Sequence, residues 1–75
     1  MRDPKAIEAE FNSLFKEGER SPAALMMVAN ITATVRDHQK RYSADPTFEG
    51  LQLCLAWEKV LDATLERQGV KVGDR

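Results

Sequence analysis

Only two side chains in the chain could form a nucleophile–base pair of the thiol type: one cysteine, Cys54, and one histidine, His38. Such a couple needs an accessible thiolate within hydrogen-bond reach of the imidazole. Cys54 stands between Leu53 and Leu55, three residues before Trp57, so it reads as a small inert core residue. His38 flanks an apolar stripe near the basic end of its helix and reads as a boundary histidine without ligand duty. Zinc wants several Cys or His ligands at short spacing, and these two residues do not supply them. Glu58 and Asp62 are four apart on one helix face, but no Glu-x-x-His follows to complete a bundle-type metal site. With Glu66, Lys59 and Arg67 they form a solvated edge. No phosphate loop, HExxH, GxSxG or EF-hand pattern occurs. The expectation is a protein that is not an enzyme, with no catalytic residue, cofactor or metal.

The remaining chemistry is that of recognition. Arg36, His38, Lys40 and Arg41 cluster in the second half of one helix, where cations also suit the helix dipole. A helix-turn-helix would read DNA with the first residues of that helix. Those are Pro22, Ala23, Ala24, Leu25, Met26 and Met27, which neither donate to base edges nor neutralise phosphate. A formal net charge of -1 removes the general electrostatic footprint of a nucleic-acid binder. A small dimeric DNA-associated transcriptional regulator is therefore the second reading, with nucleic acid not expected as a partner.

The elements that position these groups follow from punctuation and periodicity. Asp3-Pro4, Ser21-Pro22 and Asp45-Pro46 each place a capping side chain before a proline, the signature of a helix start. Gly18 and Gly69 stand where helix stops are wanted. The spacing predicts helices over about 4–17, 22–42 and 46–68, with loops short enough for antiparallel neighbours. Helix 1 carries Ile7, Phe11, Leu14 and Phe15 on one stripe. Helix 2 has a broader arc of Ala24, Leu25, Met27, Val28, Ile31, Val35 and Tyr42, with Thr32, His38 and Gln39 on the same side, and Leu25, Val28, Thr32, Val35, Gln39 and Tyr42 follow alternating steps of three and four within it. Helix 3 has a wide arc (Val60, Leu53, Trp57, Leu61, Cys54 and Leu65) and a second strip of Leu51, Leu55 and Phe48. Two strips imply two neighbours: helix 2 on the wide arc, and helix 1 or a second chain on the other. The fold class is all-α, a single small three-helix domain over 1–75. A long antiparallel hairpin of helices 2 and 3 carries the shorter N-terminal helix, which returns along helix 2, and residues 70–75 form a frayed tail.

Charged residues make up 31% and apolar residues 43% of the chain, a balance that fits a folded domain rather than a disordered one. No apolar run is long enough for a membrane span. The single cysteine points to a reducing cytoplasm. A core this small is marginal alone, so a homodimer is expected, and Met26, Ala29 and Ala33 form a patch that permits close helix approach. No motif is specific enough to indicate a family. Elimination leaves a small interaction protein that binds, and modulates or inhibits, a larger protein, in the manner of regulators, adaptors and phage or mobile-element inhibitors. The expected partner surface has Tyr42, Phe48 and Leu51 as apolar anchors and Arg36, Lys40 and Arg41 facing an acidic rim.

Overall fold

The computed structural model describes residues 3–70 and contains three helices: α1 Pro4–Leu14, α2 Pro22–Ala44 and α3 Phe48–Arg67. Two of the proline starts hold. Asp3 Oδ1 accepts the Lys5 N–H at 3.0 Å and Ser21 Oγ accepts the Ala24 N–H at 3.3 Å, with proline next in each case. The third does not. Asp45 closes α2, donating its N–H to the Arg41 carbonyl at 2.9 Å, and Pro46 lies in the connection. Thr47 caps α3 instead, its Oγ1 accepting the Gly50 N–H at 2.9 Å. Threonine directly after the Asp-Pro pair competes well as a cap, and an α2 that runs on to Ala44 leaves Asp45 no room to start another helix.

The helix ends explain two further differences. α1 stops at Leu14 rather than near residue 17, because Phe15 turns extended at φ -128° and its ring meets Phe11 with centroids 5.1 Å apart. Gly18, at φ 81°, therefore serves a turn beyond the helix rather than its last residue. Gly69 behaves as expected. At φ 89° it lets its own N–H reach the Glu66 carbonyl at 2.9 Å and the Val70 N–H reach Leu65 at 3.0 Å, the paired closure of a Schellman motif. Residues 71–75 of the expected tail lie outside the described residues.

Both flanking helices pack on α3, and α2 packs on it most closely. Helix 3 is thus the centre of the fold, but α1 lies against α3 and not back along α2 as its short loop suggested. Nor does α1 cover the second strip of α3, since Phe48 stays 75% and Leu55 46% exposed. The wide arc is broad enough for two neighbours, and one cluster of Ile7, Ile31, Val35, Trp57 and Val60 draws on all three helices. α2 buries only one side of its expected arc. Ala24, Ile31, Val35 and His38 are buried, whereas Leu25 is half exposed. The arrangement is broad and thin, 37 × 31 × 17 Å.

Trp57 is 4% exposed at the meeting point of the three helices. Trp57→Ala is expected to cost about 3–5 kcal/mol, read from urea unfolding followed by circular dichroism. A loss below about 1 kcal/mol would place Trp57 outside the core.

Candidate functional site

The α1–α2 loop is fastened to the C-terminal end of α3 by bonds running both ways. Arg67 Nη2 donates to the carbonyls of Phe15 at 3.0 Å and Asn12 at 3.4 Å, while its own carbonyl accepts the Gly18 N–H at 2.7 Å. Gln68 Nε2 donates to the Glu19 carbonyl at 3.1 Å, and Arg20 returns two bonds to the Gln68 carbonyl at 3.2 Å. The open carbonyls at the ends of two helices are satisfied in this way by side chains and one backbone N–H from across the loop. Glu19 holds the turn locally, accepting the Lys16 N–H at 3.0 Å and the Ser21 hydroxyl at 2.7 Å. The Lys16 N–H, then the Ser21 hydroxyl, hold its carboxyl below the usual range.

From this fastened end α1 and α2 run along α3 without closing on each other, and a groove of about 600 Å³ opens between them. Its α1 wall carries Ile7, Glu10 and Leu14 at helical steps of three and four, with Phe15 just past the helix end. Its α2 wall runs through Ala23, Met26, Met27, Asn30, Ile31, Thr34 and His38, and Trp57 of α3 lies between the walls. Ala23 to His38 is about 22 Å at 1.5 Å per residue. The groove is therefore a slot as long as four helical turns, apolar along most of its length. Leu14 at 60% and Met26 at 64% exposure are its open lips.

His38 stacks on Trp57, with ring centroids 6.0 Å apart and an interplanar angle of 17°. The same histidine borders a second cleft of about 440 Å³ that Arg41, Tyr42, Thr47, Gly50 and Leu53 also line. The two concavities thus adjoin at His38. Of the anticipated partner surface, Arg41 and Tyr42 lie in this continuation. Arg41 is paired with Asp37 at 3.1 Å, and Tyr42 lies close over Gly50, where an added Cβ would be 3.4 Å from its ring. Arg36 and Lys40 are exposed on α2, Phe48 is exposed and Leu51 half-buried on α3. Neither Phe48 nor Leu51 lines the groove or the adjoining cleft. Periodicity of each helix taken alone had no means of finding the groove, because its lips are residues that helix 1 and helix 2 appeared to commit elsewhere. The signal that was available is the run Pro22–Val35, which contains no charged residue.

Cys54 is buried and unpaired in a disulfide, and His38 contacts Trp57. Among the described residues no group of three His, Cys, Asp or Glu side chains is placed to hold a metal ion. Among the same residues no helix is long and apolar enough to cross a membrane. Comparison with protein families, with curated proteins and with solved structures finds no match.

Two outcomes test the fastening. Arg67→Ala is expected to lower stability by about 1.5–3 kcal/mol, the scale of hydrogen bonds to a charged donor, with Arg67→Lys restoring little because the lysine side chain ends one bond short of the Nη2 position that reaches both carbonyls. Because folding lowers the Glu19 pKa, its contribution to the turn is complete above the ordinary carboxylate value and is lost as pH falls through the lowered one. Faster exchange of the Lys16 amide on acidification, over the rate expected for an unprotected amide, checks this; Glu19→Gln is expected to flatten the response.

Proposed function

We propose that the chain is a non-catalytic interaction protein that binds and modulates a larger protein partner through an amphipathic helix of that partner. The observation that carries this reading is the slot between α1 and α2. Two helical ridges with Trp57 between them make a trough whose length and apolar lining match the buried face of a helix of about four turns. The three-helix arrangement would gain a fourth helix and a closed core in the process.

The basic residues extend the same surface. Arg41 and Tyr42 line the cleft beyond His38, and Lys40 and Arg36 lie exposed on the same helix. A bound helix with acidic residues past one end of its apolar face would meet them there. Phe48 and Leu51 offer a separate apolar contact on α3, and the partner-binding proposal includes them as a second surface to be told apart from the slot. The DNA-associated reading has no comparable support, since the half of α2 that would enter a groove carries no cation.

The probe is a synthetic fifteen-residue amphipathic peptide with leucines on one face and glutamates at one end, titrated against labelled protein and followed by amide shifts. Saturable shifts at Ala23, Asn30, Thr34 and His38 are expected, and none from a peptide of the same composition with scrambled periodicity. Met26→Lys is expected to weaken binding by at least about tenfold, the effect of roughly 1.4 kcal/mol, and Phe48→Ala to leave it unchanged. Shifts centred on Phe48 and Leu51 would move the partner surface to α3, and the absence of saturable binding by any helical peptide would overturn the reading.

A further inference from the structure

We infer that the helix received by the slot carries a side-chain amide, glutamine or asparagine, on its apolar face, placed to accept the indole N–H of Trp57. This rests on the reading of the slot as a helix-binding surface and adds the chemistry that would select one amphipathic helix over another.

The slot borders an unmet donor. Trp57 is 4% exposed and lies between the two walls, yet its Nε1 is buried and has no hydrogen-bond partner among the described residues. An indole nitrogen donates and cannot accept, and a buried tryptophan N–H ordinarily finds a partner. The polar side chains of the slot are Glu10, Asn30, Thr34 and His38, and none of them accepts this one. Thr34 spends its hydroxyl on the Asn30 carbonyl at 3.0 Å. His38 lies nearly parallel to the indole, at 17°, so it covers the ring face while the N–H points along the ring plane.

The position of Trp57 sets where the acceptor must come from. It clusters with Ile7 of α1 and with Ile31 and Val35 of α2, and it stacks on His38. Trp57 therefore floors the part of the slot nearer His38, and a helix lying in the slot passes over it with one residue of its apolar face. Met27 lines the slot and packs against the same cluster; its flexible side chain can yield to a group that enters there.

The choice of acceptor is narrow. The backbone carbonyls of a bound helix are held by its own N–H groups. Serine and threonine hydroxyls turn back to their own backbone. A carboxylate would bring a charge into apolar surroundings, at a cost far above that of a neutral amide. A side-chain amide offers its carbonyl to the indole and its N–H groups to Asn30 or His38, both on the α2 wall. A buried donor of this kind discriminates against an occupant that lacks the acceptor.

The test scans the fifteen-residue leucine-faced peptide, placing glutamine or norleucine, an apolar residue of similar length, at each position of its apolar face in turn. At one position, in the half that meets His38, glutamine is expected to bind about tenfold more tightly than norleucine, roughly 1.4 kcal/mol. At the others it is expected to bind more weakly. Only the favoured glutamine peptide is expected to move the Trp57 indole N–H resonance downfield and slow its exchange with solvent. Trp57→Phe, which keeps a ring and removes the donor, is expected to abolish the preference while circular dichroism keeps the helical signal. Should that variant not fold, the indole resonance of the parent chain still discriminates. Glutamine that weakens binding at every position, with the indole resonance unmoved, would overturn the amide and leave the helix-binding reading to the leucine peptide alone. A glutamine preference that persists in folded Trp57→Phe would overturn it as well. No saturable binding by any peptide of the series would overturn both readings together.

Discussion

The fastening of the α1–α2 loop to the end of α3 governs the rest of the molecule. Arg67 and Gln68 take the carbonyls of Asn12, Phe15 and Glu19, and Gly18 and Arg20 bond back to the carbonyls of those two residues. Every one of these bonds spans about fifty positions of sequence and draws two chain ends to one point. Small or compact buried side chains allow the approach there, with both Ala24 and Thr64 fully buried. Once that point is fixed, α1 is too short to wrap around α3, and it must find its apolar contact on the arc that α2 already uses.

The open slot is the consequence. Ile7 and Phe11 bury on the α1 side, Ile31 and Val35 on the α2 side, and Trp57 serves both. Two helices sharing one tryptophan leave a trough above it, and the apolar lips of that trough, Leu14 and Met26, stay mostly exposed among the described residues. An uncharged α2 surface beside an apolar slot has the composition of an interface core rather than of a solvated helix. The functional reading follows from this conjunction, and the paired Arg41 and the exposed Lys40 at the far end supply a charged rim.

Much of this was legible residue by residue. The capping pairs at Asp3-Pro4 and Ser21-Pro22, the closure at Gly69 and the wide arc of α3 each express a local rule, and each holds. What depended on how elements meet was not legible. Leu14 and Leu25 have the right type and spacing for a core and are exposed, because burial depends on where a neighbour lies rather than on the periodicity of one helix. His38 is the converse case: a polar residue at the edge of a stripe that becomes buried because its ring stacks on Trp57. Arg67 looked like one more cation on a solvated edge, since nothing in a sequence marks a guanidinium that will bond to carbonyls fifty residues away. Arg41 and Tyr42 stand out by charge and aromaticity and line the cleft that adjoins the slot, while Phe48 and Leu51, singled out as apolar anchors, line neither.

The central claim is that α1 and α2 each pack chiefly on α3 around Trp57 and only slightly on one another. It is tested most directly by through-space proton contacts in the isotope-labelled chain, measured with filtering that separates contacts within a copy from those between copies. The account predicts intramolecular contacts from the Trp57 indole ring to the methyl groups of both Ile7 and Ile31, with no intramolecular contact between Leu14 and Met26. Direct Leu14–Met26 contacts within one copy, together with an indole ring that sees Ile31 but not Ile7, would show a closed helix pair and contradict it.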